Sequence, residues 1–133
     1  MEVRKDLTDE WQRSGIEDTR DFATLTDIMT HEWSGKTTRE YKSFKGLKKE
    51  NLRDHMTNME LVLNMLAEVS ATDLSRENDP LGMNESAKVA KQGGSVAKAA
   101  RQQYEKQSGK KVVTSLNAKD LKALKDKEGG DDS

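Results

Sequence analysis

Gly35-Lys36-Thr37 has the ending of a phosphate-binding loop, in which backbone amides and a lysine hold nucleotide phosphates. The complete loop needs a glycine five positions before Gly35, where Thr30 stands, and it must follow a strand. The residues ahead of Gly35 carry a helical pattern instead, so the triplet reads as coincidence. His31 and His55 are the only histidines, and the chain has no cysteine. That removes disulfide scaffolds, thiolate metal sites and thiol catalysis. His31-Glu32 and Asp54-His55 are adjacent pairs, which point to different faces of a helix and cannot chelate one ion locally. Gly94-Ser95 lacks the glycine spacing of a nucleophile elbow. Gly93-Gly94-Ser95 could cradle an anion at a helix N-terminus, but two glycines also suit a hinge or a tight helix crossing, and the latter reading is preferred. The expectation is a protein that is not an enzyme, with no metal and no cofactor.

The remaining residues with chemical potential are the basic ones, and their distribution is uneven. Residues 1–34 carry nine acids against four bases, and residues 36–53 carry seven bases against two acids. Residues 57–85 are again net acidic, and residues 88–111 carry seven bases opposed only by Glu105. The overall net charge of −1 therefore hides four alternating blocks. Lys45, Lys49 and Arg53 would share one helical face and could contact phosphates. In the other reading, acidic and basic blocks face one another within the fold or across a dimer, or are simply solvated. The absence of net positive charge, and of any recognisable DNA-reading motif, favours the second. Lys45, Lys48, Lys49, Arg53, Lys98, Arg101, Lys110 and Lys111 are the candidate contact residues for a partner or nucleic acid.

These side chains must be positioned by helices. The single proline is Pro80, and the β-branched residues are scattered rather than alternating. Glu2–Arg13 is predicted as a first helix, with Val3, Leu7 and Trp11 at i,i+4 spacing and Gly15 past its end. Thr19 could cap a second, in which Phe22, Leu25, Ile28, Met29 and Trp33 form an apolar stripe closed by Ser34-Gly35. Trp11 and Trp33 thus read as core. A third, basic segment begins near Thr37 or Thr38 and breaks at Gly46. Thr57 and Glu60 have capping-box spacing ahead of an apolar run, in which Met59, Val62, Leu63, Leu66 and Val69 are expected as core or as a self-association face.

Asn78 to Gly82 reads as a turn or linker that could subdivide the domain near 78–83. Asn84 could cap a small-residue helix reaching Gln107, which Gly93-Gly94 either breaks or opens to the close approach of another backbone. Val112-Val113-Thr114 reads as a short extended stretch, and Asn117 could cap a last helix through Leu124. The domain is thus expected over 1–124, and residues 125–133 as a disordered tail. The fold class is all-α, a small multi-helix domain with short polar turns. Leu, Ile, Val and Phe together number only 23 of 133 residues, so the core is thin and a homodimer is one way to supplement it. No apolar run is long enough to span a bilayer and no signal peptide opens the chain, which makes a cytoplasmic location the expectation.

The run Lys45-Gly46-Leu47-Lys48-Lys49-Glu50-Asn51-Leu52-Arg53-Asp54-His55-Met56, followed by Thr57-Asn58-Met59-Glu60-Leu61, carries a family resemblance. Asp21-Phe22-Ala23 and Trp33-Ser34-Gly35 lie upstream in matching places. Gly93-Gly94, Val96-Ala97, Ala100-Arg101 and Ser108 to Val113 follow downstream. Together they resemble the C-terminal helical region of the bacterial DNA-damage-inducible protein D family and of related BRO-family, phage antirepressor-like proteins. In that family the region follows a BRO-type domain regarded as DNA-binding, and the present chain begins inside the helical region, so its length reads as half of a larger protein. The resemblance implies a non-enzymatic bacterial or prophage protein linked to the DNA-damage response, acting through a regulatory or DNA-repair partner or through itself. Direct nucleic-acid binding through segments 36–53 and 88–111 is the alternative.

Overall fold

Five α-helices and one 3-10 turn make up the regular structure in a computed structural model that describes residues 2–117, and no strand occurs among those residues. The helices are α1 (Val3–Arg13), α2 (Thr19–Ser34), α3 (Thr38–Phe44), α4 (Asn58–Asn78) and α5 (Gly82–Ser108), with the 3-10 turn at Leu52–His55 between α3 and α4. The described residues are all-α, as the residue pattern predicts. The expected helix beyond Asn117 and the expected tail at 125–133 lie outside the described residues.

Local chemistry fixes most helix boundaries. Asp18 caps α2 by accepting the Arg20 amide at 2.8 Å, so Thr19 is the first helical residue rather than the cap. Gly35, at φ +82°, ends the same helix in the left-handed region. Thr37 then caps α3 through a complete capping box with Glu40. Gly35-Lys36-Thr37 is therefore a helix-to-helix turn and not part of a phosphate loop. The Thr57–Glu60 capping box starts α4 as its spacing predicts. At the start of α5 the expectation fails: the helix begins at Gly82 with Leu81 as its cap residue, and Asn84 lies inside the first turn. Glu85 reaches back instead, accepting the Leu81 amide at 3.4 Å.

α5 runs unbroken through Gly93-Gly94 and packs chiefly against α4 on one side and α2 on the other. A Cβ on Gly93 would lie 2.7 Å from both the Ala71 Cβ and the Ala71 nitrogen, and one on Gly94 would lie 2.6 Å from the Met29 carbonyl oxygen. The glycines thus serve a double helix crossing, one residue per neighbour. Three residues separate α4 from α5, and the pair forms an αα-hairpin. The expected subdivision near 78–83 falls on this turn between packed helices, where the Gly82 amide also donates to the Ser14 carbonyl at 2.8 Å.

The core joins Leu7 and Trp11 of α1, Leu25, Met29 and Trp33 of α2, Tyr41 of α3, and Leu63, Ala67 and Ala71 of α4. The α2 stripe is as expected. In the α4 stripe Leu63 is buried, Met59 and Leu66 pack half-buried against the core, and Val62 is 58% exposed. Val69 is half-buried. The innermost face of α4 runs through Glu60, Leu63, Ala67, Ala71 and Ser75. The physical reason is the close approach of α5, which admits small side chains at the crossing and displaces the large ones to its flanks. Val112 is buried against the core, but its neighbours form bends rather than a strand.

Candidate interaction cleft

Several elements converge on an open cleft of about 480 Å³. Arg4 comes from α1, Thr26, Met29 and Thr30 from α2, Thr38 and Lys42 from α3, and Asn64 and Glu68 from α4. The 3-10 turn supplies Asn51, Leu52, Arg53 and Met56. Asn51 caps that turn by accepting the Arg53 amide at 2.9 Å, which fixes where the Arg53 side chain starts. Its guanidinium then grips Glu68 with two bonds, 2.8 and 3.2 Å. Glu68 is 2% exposed and also lies 3.7 Å from the Arg4 guanidinium. Arg4 donates to Thr26 Oγ1 at 2.6 Å and sits over the Trp11 ring. Burial pulls its pKa below the ordinary arginine value; Glu68 opposes that shift and Arg53 adds to it. The cleft continues into a second hollow of about 490 Å³ that shares Arg4, Thr26, Thr38 and Lys42 and adds Ala23, Asp27, Arg39 and Lys48.

A different fate meets Lys45. Its ammonium is fully enclosed, 2.7 Å from Glu60 Oε1, and it also donates to the Leu116 carbonyl. Glu60 in turn accepts the Tyr41 hydroxyl, the Thr57 amide at 2.9 Å and the Thr114 amide at 3.4 Å. Burial, reinforced by the Glu60 carboxylate, pushes the Tyr41 hydroxyl far above the usual tyrosine range, so the phenol stays a donor. The side chain that caps α4 therefore also ties α3 and the segment after α5 to it. This closed cluster is a structural joint.

The candidate basic residues separate into distinct groups. Lys45 is not on the surface, and Lys45, Lys49 and Arg53 do not share a helical face, because α3 ends at Phe44 and a turn intervenes before the 3-10 segment. Arg53 stays at the cleft, paired with Glu68. Arg101 is half-buried and donates to the Trp33 carbonyl at 2.7 Å and to Glu105 at 2.8 Å. Lys98 is half-buried on α5, and Lys49, Lys110 and Lys111 are exposed outside the cleft. Lys48 is exposed and lines the second hollow. Basic block 36–53 thus meets acidic block 57–85 through Lys45–Glu60 and Arg53–Glu68, which is the within-fold pairing of blocks. Arg4, Arg39 and Lys42 were not singled out by sequence. The i,i+3 spacing of Arg39 and Lys42 on α3 carried a signal, but Arg4 had none, since its partners are 22 and 64 positions away.

His31 lies exposed on α2, and His55 is buried with Nδ1 2.8 Å from Asn117 Oδ1. No group of three or more metal-ligating side chains gathers among the described residues. Among the same residues, no helix is long and apolar enough to cross a membrane. Against known families, residues 1–124 match the DinD C-terminal domain, and the chain belongs to that family. No curated protein and no solved structure matches it.

Proposed function

From membership of the DinD C-terminal domain family, we propose that the chain is a non-enzymatic helical interaction module of a DNA-damage-inducible or prophage regulatory, antirepressor-like protein. It acts by protein–protein contact. The observation that carries this reading is the internal use of the basic residues. Lys45, Arg53 and Arg101, three of the eight candidate contact residues, spend donors on Glu60, Glu68, Glu105 and backbone carbonyls. A duplex-binding surface needs several free cations in register, and this use takes Lys45 and Arg53 out of one basic block and Arg101 out of the other.

Lys48, Lys49, Lys110 and Lys111 remain exposed, and they support direct nucleic-acid binding through 36–53 and 88–111 as the second reading. A salt titration of duplex DNA affinity separates the two. Phosphate contact requires log K to fall with log salt, with a slope of about −0.9 for each contact. The expected outcome is no measurable affinity even at low salt. A steep slope that lessens in Lys48→Gln/Lys49→Gln would establish the second reading in place of the first.

A further inference from the structure

We infer that the groove formed by the two joined hollows, from Arg53 to Lys48, is a docking site for an acidic peptide segment of a partner protein. The inference rests on the protein-contact reading above and names the partner's chemistry. The groove brings five cations, Arg4, Arg39, Lys42, Lys48 and Arg53, against the carboxylates of Asp27 and Glu68, on a chain whose net charge is −1. Both carboxylates are already engaged: Glu68 by Arg53 and Arg4, and Asp27 by the Thr38 amide at 3.1 Å. Arg39, Lys42 and Lys48 form no salt bridge among the described residues. The free charge on the groove is therefore positive and lies along its α3 side.

The floor has a different character. Met29, Leu52 and Met56 line the first hollow and give it an apolar floor. The carboxylates of an acidic segment would meet the rim cations, which is the recognition of an acidic motif by a basic cluster. A nucleic-acid strand fits less well. No phenylalanine, tyrosine or tryptophan lines either hollow, so bases find no stacking platform.

The test uses the full chain and a fluorescein-labelled oligoglutamate peptide with one central leucine, read by fluorescence anisotropy at low salt. Arg39→Glu/Lys42→Glu is compared with Lys110→Glu/Lys111→Glu, which makes the same charge change outside the groove. The groove variant is expected to weaken peptide binding at least about tenfold, and the control less than about twofold. Arg39→Gln/Lys42→Gln, which adds no new carboxylate beside Glu68, should shift affinity in the same direction and guards against misfolding. Absence of peptide binding by the wild type, or equal losses in both charge-reversed variants, overturns the groove and leaves the protein-contact reading in place. A labelled oligo(dT) strand that binds more tightly than the peptide, and is lost in the groove variant, overturns both.

Discussion

Glu60 ties several elements of the fold together. Its carboxylate caps α4, accepts the Tyr41 hydroxyl and balances the enclosed Lys45 ammonium. Lys45→Met leaves that carboxylate buried without its counter-charge and should cost about 3–5 kcal/mol in urea unfolding. Lys45→Met/Glu60→Leu should recover part of the loss, because replacing a buried pair together is far less costly than breaking it. Failure of the double variant to recover anything would mean that the hydrogen bonds to Thr57 and Thr114 dominate. Glu10 behaves differently. Burial raises its pKa, but the hydrogen bonds from Arg13 and Ser75 and the nearby arginine charges outweigh that, and the carboxyl ends below its ordinary value of 4.5. A lowered folded pKa means that the unfolded chain takes up the proton first as pH falls. The stabilisation is thus complete above pH 4.5 and disappears as pH drops through the folded value. Glu10→Gln should be less stable than wild type at neutral pH, and the gap in urea midpoint should close in acid.

At the scale of elements, the unusual member is α5. Two adjacent glycines in a helix interior cost about 1 kcal/mol each relative to alanine, so propensity alone predicts that replacing them stabilises. The crossing reverses the sign. An added Cβ at Gly93 would meet the Ala71 nitrogen at 2.7 Å and the Ala67 carbonyl at 2.8 Å, and backbone atoms in packed helices cannot move aside cheaply. Gly93→Ala and Gly94→Ala should each lower the melting temperature, with an overpacking loss of about 1–3 kcal/mol or more. Ser95→Ala, at an exposed position on the same helix, should leave it nearly unchanged. The sequence announced the glycines and offered a break or a close approach. It could not say which, because the choice depends on Ala67, Ala71 and Met29 in two other helices. The same crossing decides which part of the α4 stripe lies deepest: periodicity gave the helix, and the close approach of α5 set Ala67 and Ala71 at the contact.

For the molecule as a whole, the turn at 79–81 is where cooperativity is decided. α5 is gripped by α4 and α2, and the Arg13 guanidinium of α1 pairs with Asp79 at the turn itself. Thermal unfolding should therefore be one transition, with helix content by circular dichroism and tryptophan fluorescence from Trp11 and Trp33 tracing the same curve. Two separated transitions would make α5 an independent unit. The helical class, most helix ends and the aromatic stripe of α2 could be read directly in the sequence, because capping chemistry and 3.6-residue periodicity act over a few neighbouring residues. The blocks of alternating charge were equally visible. What the sequence left open was how those blocks are used, since opposite charges far apart in the chain pair only after helices pack. Tertiary structure withdrew Lys45 from the surface, set Arg53 against Glu68, and brought Arg4 from an acidic stretch into a basic groove. Local interactions determined which helices form; long-range burial decided which of their charges still face a partner.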